Sequence, residues 1–314
     1  MTNDLPTPIF VTGASGFLGR HLLAALRNVN GLVVTFGRRK PTDNLGQMHW
    51  FGDLANPREL VEAIDAIHPR VVFHLAGRTP HPEARDYYRT NVGGTDTLLN
   101  ALRDRSVRLI SIGSASELGA VSEEKLPASE SLACKPIGAY ALSKWFATQR
   151  SLQAKPPLES IVARLFNLIG PGAPNDQAFG RFAELLTDPS PDPLRFAVGN
   201  LAARRDFLDV RDSAEALVAL AAFGRPNTLY HVGSGVSRSI GDGLNELIQL
   251  SGRRVLIESM PGDSVPSDSR ADITRIKEAT GWTPQILWSQ SLSDLWNEAA
   301  RRAGRSQSLE RLAG

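Results

Sequence analysis

The chain has 314 residues, of which 42% are hydrophobic and 22% charged, and its formal net charge is +2. This balance is that of an ordinary globular protein. It excludes recognition of a polyanion by bulk charge, and no apolar run approaches the ~20 residues of a membrane span. One cysteine, Cys134, excludes an intramolecular disulfide and fits a reducing compartment. The polar opening at 1–6 lacks the apolar core of a signal peptide, so a cytoplasmic location is expected.

The first elements carry the most information. Residues 9–11 are an apolar run, and Phe17, Leu18, Leu22, Leu23 and Leu26 follow at helical spacing. Between and among them lie Gly13, Gly16 and Gly19. The pattern predicts a strand, a glycine turn and a helix, the opening of a Rossmann-type dinucleotide site. Gly13 serves a turn with positive φ. Gly16 lets backbone approach a pyrophosphate, and Gly19 lets the helix lie close on the sheet. The helix start offers free N–H groups to the phosphates.

Residues 32–36 read as a second buried strand, ending at Gly37-Arg38-Arg39. At this strand end an acid would bond the 2′-hydroxyl of NAD, whereas an arginine accommodates the 2′-phosphate of NADP. Arg38 and Arg39, with no acid beside them, favour NADP(H) over NAD(H); a solvated basic turn is the plain alternative. Residues 48–51 are a short third strand. Asp53, just beyond it, serves either the adenine amino group or the cap of a helix over 57–67. A fourth strand over 70–77 ends in small residues that leave room for a cofactor backbone, and His74 inside it reads as a core histidine. A polar loop at 79–82 leads into a long helical stretch. Asn91 is locally unfavourable there, which implies a hydrogen-bonding task.

A fifth strand over 107–112 delivers Ser114 and Ser116 to the carboxyl edge of the sheet, where ligands collect in open α/β folds. Tyr140 and Lys144, four residues apart at the head of the next helix, share one face. A tyrosine is a poor base at neutral pH, and a neighbouring ammonium is expected to lower its pKa. A sixth strand begins near residue 160 and runs into a loop ending at Gly170-Pro171-Gly172. There the alternation of strand and helix stops. The expected architecture is an α/β, Rossmann-type doubly wound parallel sheet over 1–165. A smaller C-terminal α/β substrate domain over 166–314 follows, with parts returning to the first. Helices are expected near 176–187, 212–223 and 290–302, with a frayed tail from Arg301. The charged run 204–212 is interleaved with apolar residues at strand spacing, as either a solvated edge or an anion site.

Taken together, Thr12-Gly13-Ala14-Ser15-Gly16-Phe17-Leu18-Gly19, Asp53-Leu54, His74-Leu75-Ala76, Asn91-Val92-Gly93-Gly94-Thr95, Tyr140 to Lys144, and Arg164 with Asn167 resemble the extended short-chain dehydrogenases/reductases. The stretches 163–172, 198–201 and 204–212 look like the GDP-4-keto-6-deoxy-D-mannose reductases within that family. The resemblance implies Ser114, Tyr140 and Lys144 as the catalytic set, with Ser116 the alternative serine register. It implies a cofactor site of Gly13, Ser15, Gly16, Phe17, Leu18, Gly19, Arg38, Arg39, Asp53, Leu54, Leu75, Ala76, Gly77, Asn91, Tyr140, Lys144 and Phe166. Ser116, Glu117, Asn167, Phe179, Arg205 and Arg270 would face a nucleotide sugar, and no metal is implied. Leu118 stands where the family usually has tyrosine, and Met260-Pro261-Gly262-Asp263 departs from the usual arginine-containing segment.

The implied reaction is NADPH-dependent reduction of a nucleotide-linked 4-keto-6-deoxy sugar, GDP-linked by preference, giving GDP-D-rhamnose or its C4 epimer. A 4-epimerase, a 4,6-dehydratase using Glu117, and a non-catalytic NADP-binding sensor are the alternatives. The resemblance further implies a homodimer built on helices that begin near residues 85 and 138, with the stripes Leu98, Leu99, Leu102 and Ala141, Trp145, Ala147 available to it. Neither nucleic acid nor membrane is an expected partner.

Overall fold

Short β-rich runs and amphipathic helices alternate through the first half, and a computed structural model of the chain describes residues 5–42, 47–78, 83–259 and 267–313. The loop at 79–82 and the segment Met260 to Asp263 lie outside the described residues. The first half runs β1 (Ile9–Thr12), α1 (Phe17–Ala25), β2 (Val33–Gly37), β3 (Met48–Phe51), α2 (Pro57–Ile67) and β4 (Val71–His74). It continues with α3 (Ala84–Tyr87), α4 (Gly94–Leu102), β5 (Arg108–Ser114), α5 (Gly138–Leu152) and β6 (Glu159–Leu165). Then come β7 (Asn167–Ile169), α6 (Ala178–Leu186), β8 (Leu194–Val198), β9 (Arg204–Asp209), α7 (Val210–Phe223) and β10 (Thr228–Val232). The chain closes with β11 (Ser237–Ser239), α8 (Ile240–Ser251), β12 (Val255–Ser259), α9 (Thr274–Thr280) and α10 (Trp288–Ala313).

Seven strands form one parallel sheet in the order β10-β6-β5-β4-β1-β2-β3. This is the doubly wound architecture that the strand–helix alternation implies. Successive residues of one strand serve opposite faces. On β1, Ile9 and Val11 pack with Leu22, Leu23 and Leu26 of α1 and the alanine-rich face of α7. Phe10, between them, packs with Leu60, Ile64 and Ile67 of α2 and Leu98 and Leu102 of α4. Leu98 and Leu102 are therefore consumed by the sheet and are not an outward stripe.

The second half contributes to both layers. Strand β10 extends the large sheet beside β6, and α7 lies against α1. A separate core forms where Phe179 and Phe182 of α6, Phe196 of β8, Leu244 and Leu247 of α8, and Leu292 and Leu295 of α10 meet. The terminal helix runs to Ala313 rather than fraying from Arg301. No proline interrupts residues 301–313, and most of them are good helix formers.

The charged run 204–212 is neither a solvated edge nor simply an anion site. Its three aspartates turn inward as anchors. Asp206 is fully buried and accepts from Ser234 N at 2.6 Å, Ser234 Oγ at 2.6 Å, Gly235 N at 3.0 Å and Ala271 N at 3.0 Å. Asp209 caps α7 and accepts from Ser291 Oγ of α10 at 2.7 Å, and Asp212 takes Gln285 N and Ile286 N at 3.0 and 2.9 Å. Asp206→Ala leaves three backbone N–H groups without an acceptor away from water, each costing ~1–3 kcal/mol. Urea denaturation should show a loss of at least ~3 kcal/mol for this variant, with Asp206→Asn intermediate.

Candidate functional site

The carboxyl ends of the strands open onto a cavity of about 1590 Å³. Single-ligand pockets are usually ~300–1,000 Å³, so this one has room for two large ligands. One wall is the turn after β1, where Gly13, Ser15, Gly16, Phe17, Leu18 and Gly19 all line the cavity. Gly13 has φ +72°, and a Cβ there would lie 2.5 Å from the backbone of Leu75 and Ala76. The β1 turn thus touches the end of β4 directly. Gly19 is needed for a different contact from the one expected. A Cβ on it would meet Gly13 O at 2.4 Å, so it lets α1 close on its own turn. The α1 N-terminus has no side-chain cap, which leaves its N–H groups to the cavity. The glycine cradle and the free helix start fit the pyrophosphate of a dinucleotide.

Behind this wall His74 bridges β1 and α4. Thr95 Oγ1 donates to Asn91 O at 2.6 Å, so it accepts from His74 Nε2 at 3.1 Å, and His74 Nδ1 accepts from Thr12 Oγ1 at 2.8 Å. The ring is neutral; burial first, then the Lys144 charge, lowers its pKa to about 3. It is the core histidine that its apolar strand implies. Asn91 is buried in a π-helical stretch between α3 and α4. Its Oδ1 accepts from Arg78 N at 2.8 Å and its Nδ2 donates to Ser143 Oγ at 2.9 Å. It supports the wall at Gly77 and Arg78 without lining the cavity.

The reactive corner lies at the meeting of β5 and α5. Ser114, Ser116, Tyr140 and Lys144 all line the cavity there. Ser114 and Ser116 share a hydrogen bond at 2.9 Å. Of the two serines, Ser114 is the one whose side chain acts on the Tyr140 phenol. The Tyr140 pKa moves opposite to expectation. Burial raises it, partly offset by Ser114, and Glu117 and Tyr87 raise it further. The Lys144 ammonium donates to Ile112 O at 2.5 Å. Burial lowers the Lys144 pKa, and Glu117 opposes that shift. The corner therefore holds a phenolic proton at neutral pH, the state of a proton donor.

The facing wall comes from the second half. Phe166, Asn167, Phe179, Arg204 and Arg205 line it, as do Ser267 to Ser269. Asn167 Nδ2 donates to Asp206 O at 3.3 Å, and Arg205 Nη1 donates to Ser267 Oγ at 2.9 Å. Arg20 and His21 of α1 reach across to Gly172 O at 3.2 Å and Pro171 O at 2.9 Å, bracing the loop after β7.

Several expected residues lie elsewhere. Glu117 is fully buried and forms an ion pair with Arg164 at 2.8 Å, so it does not face a substrate. Leu118 is buried against Ala128, Phe166 and Ala271, so the missing tyrosine leaves no gap at the cavity. Arg270 stands one residue beyond the lining segment; its Nε is buried without a hydrogen-bond partner among the described residues, and its carbonyl accepts from Ala128 N at 2.8 Å. Arg38, Arg39, Asp53 and Leu54 lie outside the lining, as does Ala76, whose N–H is turned to Thr12 Oγ1 at 3.3 Å. Asp53 stands 3.9 Å from Arg38, both well exposed, and the cap of α2 is Asn56 rather than Asp53. The sequence reading missed Arg20, Arg78 and Ile137, all of which line the cavity, while Arg204 of the 204–212 run lines it as well. It also missed Tyr87, whose ring is 5.6 Å from that of Tyr140. No local pattern marks these; they converge only through the fold.

Residues 9–233 match the NAD dependent epimerase/dehydratase family. The chain belongs to that family. A GDP-6-deoxy-D-mannose reductase of Pseudomonas aeruginosa is 34% identical over 90% of this chain and 94% of its own. A dTDP-6-deoxy-L-talose 4-dehydrogenase (NAD(P)(+)) of Kitasatospora kifunensis is 26% identical over 93% of this chain and 95% of its own. The solved structure of RMD from Pseudomonas aeruginosa complexed with NADPH superposes with a TM-score of 0.82 at 30% identity, covering 94% of this chain and 99% of that one. The family frame thus spans both halves of the chain.

The two buried histidines make stability depend on pH. His74 and His231 each have a folded pKa of about 3 against an ordinary 6.5, burial being the first cause in both. Their contribution is fully present above the unfolded value and lost as pH falls toward the folded one. The loss is on the order of 1.4 kcal/mol per pH unit for each histidine. The two histidines should lower Tm from about pH 6 downward, and replacing each by a neutral residue should reduce the proton uptake on unfolding near pH 5 by about one.

Proposed function

We propose that this chain is an NADPH-dependent reductase of a nucleotide-linked 4-keto-6-deoxy sugar, with a GDP-linked hexose as substrate and GDP-D-rhamnose or its C4 epimer as product. The observation that carries this reading is the half-buried Tyr140 beside Ser114, at the junction of the glycine cradle and the Asn167–Arg205 wall in one cavity. The relatives named for GDP-6-deoxy-D-mannose reduction and for a complex with NADPH support the substrate and the cofactor.

NADPH, when bound, supplies the hydride to C4 of the sugar. The chain supplies the rest. Gly13, Ser15, Gly16 and the α1 N-terminus would hold the pyrophosphate, and Arg38 and Arg39 at the end of β2 would take the 2′-phosphate. Asp53 near Arg38 leaves that arginine largely solvated and available, since an exposed pair near 4 Å is worth little. Arg205 faces the substrate diphosphate, and Asn167 and Phe179 shape the sugar pocket. Tyr140 gives its phenolic proton to O4 as negative charge develops there, and Ser114 hydrogen-bonds the same oxygen. Lys144 lines the same corner, with its ammonium held on Ile112 O at 2.5 Å. Glu117, the residue that the dehydration alternative invokes, is withdrawn into its ion pair with Arg164 and does not line the cavity.

The test is consumption of NADPH with GDP-4-keto-6-deoxymannose generated in situ. Wild-type enzyme should oxidise one NADPH per sugar. Tyr140→Phe should lower kcat by ~10²–10⁴-fold with little change in the dissociation constant for NADPH. Turnover of a dTDP- or UDP-linked keto sugar in place of the GDP sugar would overturn the nucleotide assignment alone. In the same assay Arg38→Ala with Arg39→Ala should raise KM for NADPH by ~10–100-fold and leave KM for NADH nearly unchanged.

A further inference from the structure

Glu117 takes no part in the chemistry above, yet it joins three elements that do. Its Oε1 accepts from Ser114 N at 2.7 Å and from Thr148 Oγ1 at 2.9 Å. Its Oε2 accepts from Arg164 Nε at 3.1 Å and Nη2 at 2.8 Å. Ser114 ends β5, Arg164 lies in β6, and Thr148 is on α5, one turn beyond Lys144 and two beyond Tyr140. Gly113 makes room for the carboxylate: a Cβ there would stand 2.8 Å from Oε1 and 3.0 Å from Thr148 Oγ1. Behind Arg164 the network closes on β10. His231 Nε2 accepts from Arg164 Nη1 at 3.2 Å, and its Nδ1 donates to Ala128 O at 3.0 Å.

We propose that Glu117, held by Arg164, is a positioning residue for the reaction: one buried carboxylate fixes the strand end carrying Ser114 against the helix carrying Tyr140 and Lys144. Which atoms react rests on the reductase reading; the positioning rests on the bonds just described. Both partners of Oε1 are part of the reactive geometry. One is the backbone of Ser114 itself, and the other is the next turn of the tyrosine helix. A shift of either by about 1 Å would open the Ser114–Tyr140 contact, and displacements of that size cost rates of order 10²-fold. The carboxylate also acts through its charge, favouring the protonated forms of Tyr140 and Lys144. The other groups facing this corner are Tyr87 of α3 against the Tyr140 ring, Ser114 of β5, Lys144 on the same helix and His74 of β4 behind Lys144.

Removing Glu117 alone would strand Arg164 in the interior, so the charges are removed together in Glu117→Leu/Arg164→Met. Thr148→Val cuts only the link to α5 and leaves every charge in place. Full-length proteins are compared for folding by circular dichroism, NADPH dissociation constant, kcat and KM with the keto sugar. The alkaline titration of Tyr140 is read as the phenolate absorbance of each protein minus that of its own Tyr140→Phe partner. The folded double variant should bind NADPH as wild type does, lose ~10–100-fold in kcat with KM within about twofold, and titrate Tyr140 at lower pH. Thr148→Val should lose ~3–10-fold in kcat with Tm, KM and NADPH binding unchanged. A folded double variant with wild-type kcat and wild-type Tyr140 titration overturns the positioning role. If the double variant does not fold, wild-type kcat in Thr148→Val overturns it. Failure of the wild-type enzyme to reduce any keto sugar would sink the reductase reading instead, and the Tyr140 titration would then decide the role of Glu117 by itself.

Discussion

A carboxylate and a guanidinium, both out of water, meet behind the carboxyl ends of β5 and β6. Desolvating two such charges costs several kcal/mol per ion, and only near-complete hydrogen bonding offsets it. Glu117 and Arg164 meet that condition. Both carboxylate oxygens are used twice, and the guanidinium extends to a neutral histidine and to Cys134 Sγ at 3.2 Å. Such a pair tolerates little displacement, because any loosened bond leaves a buried charge exposed to low dielectric. The strands it joins are paired over seven residues, from Arg108 with Glu159 to Ser114 with Leu165. The end of that register is where the reactive corner lies.

The opposite wall obeys the same rule with different residues. Asp206, Asp209 and Asp212 are all drawn inside and bound to N–H or O–H groups of distant segments. Between them Arg205 is left to face the cavity. The acids hold the second half in place and thereby leave an arginine facing the cavity. Because Asp206 receives both Gly235 and Ala271, the segment bearing Arg270 is tied to the strand bearing Arg205. The cavity is thus bounded by two sets of buried anions, one behind each wall, and its lining is biased toward donors and cations. That bias suits a dinucleotide and a nucleoside diphosphate sugar.

Much of this was legible in the order of residues. The Gly13–Gly19 turn, the helix over 57–67 and the shared face of Tyr140 and Lys144 depend on φ, on period and on four-residue spacing, all local properties. His74 was readable as a core residue because its strand is apolar. Glu117 was not readable in the same way. Its neighbours in sequence are serines at a strand end, which look like a site, while its true partner Arg164 is 47 residues away. The Tyr140 pKa failed for a related reason. Spacing places Lys144 on the same face, but whether its ammonium points at the phenol or at the Ile112 carbonyl depends on packing against β5.

The sequence by itself determined the alternation of strands and helices, the glycine turn, the serine–tyrosine–lysine order and the pair of arginines at the end of β2. Each follows from backbone conformation or periodicity over a few residues, where the chain's own stereochemistry sets the answer. Only the tertiary structure decided which charges are buried, which serine meets the tyrosine, and how the second half closes over the first. Those outcomes depend on desolvation and on partners tens of residues away, and a charge in a sequence carries no mark of whether water or another charge will surround it.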